Sequence, residues 1–172
     1  KELIYHAGLS DNVESIIISD SNELFIKWIL QKHKLLNSVD QIFSNPAHFD
    51  DSGCLNISYY HVQDWCELSS KNMCKGHILE EYVKRRNSEA GVKFRRVVYV
   101  GDGKNDLCPA ARLSRAGVVC ARAGHAMAAV LQEGRVQLRA RAVYWSDGTD
   151  IFPHVGLESP SKTKREENDV EG

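Results

Sequence analysis

Two aspartates follow an apolar, β-branched run in the segment VVYVGDGKNDLCP, residues 97–109. Asp102 ends the run and Asp106 comes four residues later, so one tight turn could direct both carboxylates at the same point. Two like charges so close raise each other's proton affinity unless a cation lies between them. Oxygen ligands suit a hard divalent ion, with magnesium as the default. The structural alternative is that Asp102 stabilises the turn and Asp106 the start of the next helix.

Two more polar residues stand where phosphate chemistry would need them. Ser19 ends a short apolar run, where its hydroxyl and the next backbone amides could bind phosphate oxygens at a helix N-terminus. Lys75 is the first residue of a predicted helix with an apolar stripe. A cation at a helix N-terminus is disfavoured by the helix dipole, so a lysine at this position suggests a functional role. Taken singly, Ser19 could equally be a helix cap and Lys75 a solvated surface lysine.

Strands and helices alternate along the chain and would position these residues. Apolar, β-branched runs predict strands at 13–19, 39–44, 95–100 and 117–121 and an edge strand at 142–145. Helical spacing predicts helices at 23–35, 75–86, 110–116 and 126–133. Ser21 or Asn22 could cap the first of these helices. The loosely alternating apolar residues of 50–65 suggest a hairpin-like excursion from the core. This alternation predicts an α/β fold with a mostly parallel sheet, whose ligands bind at the carboxyl ends of its strands.

Composition limits the classes of function. The 172 residues are 42% hydrophobic and 26% charged, which suits one globular domain. A net charge of −1 gives no basic field for nucleic acid or an anionic membrane, and no apolar run could span a bilayer. Five cysteines without regular spacing indicate reduced thiols. We therefore expect a cytoplasmic protein with no nucleic-acid or membrane partner; its oligomeric state is not predicted.

The order of these motifs resembles a known family. Strand-Ser19, helix-Lys75 and strand-Gly101-Asp102-x-x-x-Asp106 resemble the second, third and fourth motifs of the haloacid dehalogenase superfamily of phosphohydrolases. The strings IIISDSN, IFSNP, NMCKGHILEEY and YVGDGKNDLCP are similar to the group that contains pyridoxal phosphate phosphatase and phosphoethanolamine/phosphocholine phosphatase. The resemblance implies a three-layer, Rossmann-like core. We place this partial hydrolase core at residues 1–156 and a disordered polar tail at 157–172.

The resemblance also implies which residues would meet a phosphate. Ser19 would hydrogen-bond the transferring phosphoryl group, Asp20 would lie beside it at the same phosphate-binding turn, and Lys75 would neutralise its charge. Phosphoryl transfer needs mainly alignment and cancellation of charge on the oxygens, which these residue types can supply.

The remaining motif implies a magnesium site. Asp102 would coordinate Mg²⁺, Asp106 would ligate the ion or hold a water bound to it, and Asn105 would orient groups beside them. The implied activity is a magnesium-dependent phosphatase for small phosphomonoesters. Pyridoxal 5'-phosphate is favoured as substrate, with phosphoethanolamine and phosphocholine also possible.

The family's first motif, an Asp-x-Asp that supplies the nucleophile after the first strand, has no counterpart in the 172 residues, and neither has the family's mobile cap. We therefore expect this chain to be inactive alone. Because it begins at Lys1 without methionine and Glu2–Tyr5 resembles a helix already under way, we expect an N-terminally truncated sequence. The alternatives are a splice or decayed form that binds without turnover, and a regulatory α/β module that binds metal or phosphate.

The missing strand has a structural consequence. In the family it is central and lies between the strand ending at Ser19 and the strand ending at Gly101. Each buried amide left unpaired costs about 1–3 kcal/mol. Either those two strands join directly, or the sequence is a fragment whose missing N-terminal part completes the sheet.

Other clusters point to structure rather than chemistry. Cys66 and Cys74 with His61 and His77 match no closed zinc spacing well, so we expect packed, free thiols. His125 and His154 are expected at the surface or at helix caps. The basic runs at 84–86 and 135–141 are expected to be solvated.

Overall fold

The structure is a computed structural model that describes residues 1–158. Residues 159–172, nearly all of the predicted tail, lie outside the described residues. The helices are α1 (Glu2–Gly8), α2 (Glu23–Lys32), α3 (Lys75–Ala90), α4 (Leu107–Arg112), α5 (Ala126–Gln132) and α6 (Phe152–Val155). The strands are β1 (Ile16–Asn22), β2 (Gln41–Asn45), β3 (Ala47–Phe49), β4 (Leu55–Ile57), β5 (Val98–Gly101), β6 (Val118–Arg122) and β7 (Arg141–Trp145).

The strands form two parallel groups and one hairpin. β1 pairs with β2 in parallel, and β5, β6 and β7 form a second parallel sheet with β6 in the middle. β3 and β4 form an antiparallel hairpin, so the excursion expected at 50–65 begins earlier, at Ala47. The predicted α/β class with mostly parallel strands is confirmed.

The core is built around β6. Val119, Cys120 and Ala121 are fully buried there, which explains the uninterrupted apolar run in a strand covered on both faces. Met127 of α5 and Ala110 of α4 pack in the same apolar cluster. This packing fixes the strand ends from which the polar loops leave.

The sheet stays open between β1 and β5. No ladder joins these two strands within residues 1–158, so the family's central strand position has no substitute there. Helix α3 holds the two groups together: Leu79 packs in the cluster that contains Tyr99 of β5, whereas Ile78 packs with Phe43 of β2. Of the two arrangements that the sequence allowed, the direct joining of the two strands is wrong for this part of the chain.

Two element boundaries differ from the predictions. β1 was expected to stop at Ser19 but continues to Asn22, because Asn22 has extended φ and ψ and its Oδ1 caps α2 by accepting from the Phe25 amide at 3.0 Å. The helix predicted at 110–116 lies at Leu107–Arg112, because Pro109 is tolerated in a first turn and Leu113 is already extended. Helix α6 was not predicted. No helix in residues 1–158 is long and apolar enough to cross a bilayer.

Candidate active site

The site is organised around a buried ion pair. Nζ of Lys75, the first residue of α3, lies 2.7 Å from Oδ1 of Asp106, and the two side chains are only 10% and 6% exposed. Lys75 faces the core region rather than solvent, so the surface-lysine alternative does not hold. An ammonium has three donors. Asp106 accepts one of them in the described residues, and the other two remain for a ligand.

Asp106 accepts four hydrogen bonds. Oδ1 accepts from Lys75 and from the Tyr99 hydroxyl at 2.7 Å, and Oδ2 accepts from the amides of Asp102 and Gly103 at 3.0 and 2.9 Å. A carboxylate has about four acceptor positions, so all are taken. Asp106 therefore anchors the lysine and closes the turn in this arrangement. Direct ligation of a metal ion, or a hydrogen bond from a metal-bound water, would each require one of these four hydrogen bonds to give way.

The electrostatics of the pair follow from its burial. Burial raises the pKa of Asp106, but the Lys75 ammonium and the hydrogen bonds more than offset this, so the pKa lies below its ordinary value. Burial and the adjacent carboxylate raise the pKa of Tyr99 well above its usual range, so its hydroxyl remains a donor to Asp106. Both groups are thereby fixed in the protonation states that the network needs.

A glycine lets the turn pack against the carboxylate. A Cβ at Gly101 would lie 2.7 Å from Cβ and Cγ of Asp106, closer than real side chains come. Gly101 is therefore needed for close approach, not for an unusual backbone angle.

Asn105 joins this turn to the end of β1. Its Nδ2 donates to Oδ2 of Asp20 at 2.8 Å, across the open space between the two sheets. The backbone of β1 is held from the other side by buried Asn45, whose Nδ2 donates to the carbonyls of Asp20 and Ser21, both at 2.8 Å. The predicted residues Asp20 and Asn105 therefore meet although 85 positions separate them.

Asp102 has a different environment from Asp106. Its side chain is 53% exposed and accepts no hydrogen bond in residues 1–158. Its Oδ2 lies 3.7 Å from Nδ1 of His125 and 3.9 Å from a guanidinium nitrogen of Arg122. Its backbone carbonyl accepts from Met127 at 2.9 Å, which fixes the loop on α5. Asp106 thus closes the turn and does not cap α4 through its side chain, whereas the half-exposed Asp102 carboxylate faces Arg122 and His125.

Ser19 is the least connected predicted residue. It lies next to Asp20 at the same strand end, paired in register with Ser44. Its hydroxyl accepts from the Ser21 amide at 3.3 Å, a local turn contact. No hydrogen bond joins it to Lys75 or Asp102 within residues 1–158.

Three residues near the site were missed or set aside by sequence reasoning. Tyr99 looked like one more strand residue, although a tyrosine in a buried strand needs a hydrogen-bond partner and Asp106 is near it in sequence. Arg122 and His125 follow β6, the strand beside β5. Loops after adjacent parallel strands meet at one edge of a sheet, which is the signal that could have linked them to Asp102.

Comparison with known proteins identifies the fold family. A family model described as "Putative Phosphatase" matches residues 2–156. The chain belongs to this phosphatase family. The family is part of the haloacid dehalogenase superfamily, so the resemblance drawn from the sequence is confirmed.

The curated relatives share between 31% and 37% of the aligned residues with this chain. Pyridoxal phosphate phosphatase of Mus musculus is 37% identical over 148 residues, covering 84% of this chain and 61% of the relative. Phosphoethanolamine/phosphocholine phosphatase of Gallus gallus is 37% identical over 146 residues, covering 83% and 54%. A thiamine phosphate phosphatase-like protein of Arabidopsis thaliana is 31% identical over 138 residues, covering 78% and 56%. No solved structure gives a significant match.

The chain spans less than two thirds of the length of the first two of these phosphatases. The matched region contains the cluster of Asp20, Lys75, Asn105 and Asp106 together with Asp102. The family relation therefore extends to every predicted site residue.

Proposed function

We propose that the chain carries the phosphate- and metal-binding part of a magnesium-dependent phosphatase for small phosphomonoesters. The observation that supports this most is the Lys75–Asp106 pair. A buried ammonium held by one carboxylate, with two donors left over, is a fixed positive charge suited to a phosphoryl group.

The residues on the phosphate side position and neutralise the group. The Lys75 ammonium would bind a phosphoryl oxygen, while Asp106, itself held by the Tyr99 hydroxyl, keeps the ammonium in place. Ser19 would donate its hydroxyl to another phosphoryl oxygen from the end of β1. Asp20 is held by Asn105 at that same end. The charge is placed before the ligand arrives, so little reorganisation is needed during transfer.

The residues on the metal side fit Mg²⁺. Asp102 presents a half-exposed carboxylate that accepts no hydrogen bond in residues 1–158, and Asp20, held by Asn105, offers a second carboxylate at the end of β1. A site of hard oxygen ligands with room for water matches the preference of magnesium. When bound, the ion would neutralise charge on the transferring phosphoryl oxygens. Asp102 would hold it directly, and Asp106 would support the site by anchoring Lys75 and the turn.

The proposed substrates are small phosphate esters. The relatives are named for pyridoxal phosphate and for phosphoethanolamine or phosphocholine, and all of these carry one phosphomonoester on a small organic group. Pyridoxal 5'-phosphate is the favoured substrate. A cytoplasmic location belongs to the same proposal and is supported by five cysteines that are all free thiols.

A second candidate function is binding of metal or phosphate without turnover. Two observations favour it for these 172 residues: no Asp-x-Asp follows an apolar strand, and the sheet is open between β1 and β5, where the family's nucleophile strand lies. We therefore propose that this chain binds phosphate but does not hydrolyse esters by itself.

A phosphate-release assay tests the proposal. The chain is incubated with pyridoxal 5'-phosphate, phosphoethanolamine and phosphocholine, with and without Mg²⁺, and free phosphate is measured. We expect no turnover above buffer, together with protection of the chain from thermal unfolding by phosphate only when Mg²⁺ is present. Ester hydrolysis by the wild-type chain that is absent in Asp102→Asn would show that another residue of this chain acts as nucleophile. Absence of any phosphate effect would contradict the binding role.

A further inference from the structure

Three thiols meet behind the phosphate site. Sγ of Cys108 lies 3.4 Å from Sγ of Cys66 and 3.6 Å from Sγ of Cys74, and all three sulfur atoms lie within 4.8 Å of one another. Cys74 and Cys108 are buried and Cys66 is partly buried. These residues come from a loop, the cap of α3 and the first turn of α4, so the fold converges three soft ligands on one point.

The spacing of the sulfur atoms suits a shared ion. Thiolates bind zinc at about 2.3 Å, and tetrahedral geometry then separates the sulfurs by about 3.8 Å. The separations of 3.4 and 3.6 Å are close to this value, so small side-chain movements would complete the geometry. A disulfide needs about 2.05 Å and joins only two of the three.

A fourth ligand position is also present. The Ser69 hydroxyl oxygen is buried and has no hydrogen-bond partner within residues 1–158. Its side chain lies against the thiols of both Cys66 and Cys108. A buried polar atom without a partner costs about 1–3 kcal/mol, which a ligand would remove.

A nearby cation matches the charge of such a centre. Three thiolates around a divalent ion carry a net charge of −1, which is costly to bury unless it is compensated. A guanidinium nitrogen of Arg112, at the end of α4, lies 3.9 Å from Sγ of Cys74. The same side chain pairs with Glu80 at 2.5 Å, which holds it in place.

We propose that Cys66, Cys74 and Cys108 bind one thiophilic divalent ion, zinc by ligand type and geometry, with Ser69 closing the fourth position. The site is structural. Between Ser58 and Cys74 the chain has no helix or strand, and the ion would join this loop to α3 and α4. Cys74 precedes Lys75 and Cys108 follows Asp106 by two residues, so the ion would also fix the starts of the elements that carry the buried pair.

Cobalt substitution tests the site independently of activity. The full 172-residue chain is purified with reductant, stripped of metal and titrated with Co²⁺. We expect about one ion per chain, with the sulfur-to-cobalt charge-transfer absorption and the intense visible bands of tetrahedral thiolate coordination, and displacement of Co²⁺ by zinc. Octahedral, weakly absorbing cobalt, or no binding, would overturn the proposal.

Cysteine variants locate the ion. Cys66→Ser and Cys108→Ser should each weaken Co²⁺ binding at least about tenfold, whereas Cys54→Ser, in the exposed hairpin, should leave it unchanged. Equal loss in Cys54→Ser would contradict the assignment. Because a cluster variant could fail to fold, Ser69→Cys provides a gain of function: a fourth thiolate should tighten binding at least about tenfold and intensify the charge-transfer band. An unchanged affinity in Ser69→Cys would remove Ser69 from the site.

Removal of metal gives a last readout. Wild-type chain loaded with zinc should unfold at a higher temperature than the stripped chain, and Cys108→Ser should lose that difference. The proposal would be overturned if the chain isolated under reducing conditions contained no metal and had an intramolecular disulfide between two of the three cysteines. Mass spectrometry would show such a disulfide as a mass lower by two hydrogens.

Discussion

At the residue scale, Lys75 and Asp106 depend on each other. Each side chain is about nine-tenths buried, so removal of either one would leave the other as a buried group without its partner. The pair explains why a lysine begins α3, where the helix dipole alone would disfavour it. The site thus combines a structural ion pair with a phosphate-binding charge.

Lys75→Met should destabilise the chain by about 3–5 kcal/mol, because it leaves the Asp106 carboxylate buried without its cation. Lys84→Met is the matched control, since the Lys84 side chain is 77% exposed and should change stability by less than about 1 kcal/mol. Urea unfolding monitored by circular dichroism measures the free energy of unfolding of the two variants. Equal effects for the two variants would show that the buried pair has no special role.

Asp106 should also make stability depend on pH. Its pKa in the folded chain lies below the ordinary value of 3.8, so its contribution is complete above that value and is lost as pH falls through the lower, folded pKa. We expect the free energy of unfolding to decline below about pH 4 in the wild type, and to decline less steeply in Asp106→Asn. Asp51→Asn, which removes an exposed carboxyl of the hairpin loop, serves as the control. An identical slope in wild type and Asp106→Asn would contradict the lowered pKa.

At the element scale, the turn after β5 works only because it packs tightly. Gly101→Ala should cost about 1–3 kcal/mol and disturb Asp106, since the added methyl group would lie 2.7 Å from it. Gly148→Ala is the matched control, because a methyl group there meets nothing within 4 Å. Thermal unfolding of both variants provides the comparison. If Gly101→Ala and Gly148→Ala unfolded at the same temperature, the turn after β5 would have space for a methyl group, and the close packing against Asp106 would be wrong.

Much of this element-scale arrangement could be read from the sequence. Apolar runs ending in polar residues predicted the strands and put the turns after Ser19 and Gly101 at strand ends, and the family resemblance brought Lys75 to the same site. The helix boundaries at 107–112 were missed because Pro109 resembles a stop signal, although it is harmless in a first turn.

Partners set by tertiary packing were harder to find. Tyr99 reaches Asp106 because the turn folds back on its own strand, and His125 reaches Asp102 because β6 lies beside β5. The cysteine cluster was missed because Cys108 is 34 residues from Cys74, so the spacing along the chain showed no closed zinc site and predicted packed thiols.

At the scale of the whole molecule, the open sheet is the main structural feature. β6 is paired on both sides, whereas β1 and β5 each have one side without a ladder in residues 1–158. We expect hydrogen exchange to be slowest in β6 and faster for the amides of β1 and β5 that face the gap. Nuclear magnetic resonance of the labelled chain measures this amide by amide. Protection in β1 and β5 as high as in β6 would indicate that the two strands are paired after all.

The central claim is that Lys75 and Asp102 bind phosphate together with magnesium. Calorimetric titration of inorganic phosphate into the 172-residue chain, with Mg²⁺ and with chelator, tests it most directly, with Asp102→Asn as the variant and Asp51→Asn as its control. We predict binding at least about tenfold tighter with Mg²⁺ in wild type and Asp51→Asn, and no such gain in Asp102→Asn. Phosphate affinity that is the same with chelator, or a Mg²⁺ effect that persists in Asp102→Asn, would contradict the account.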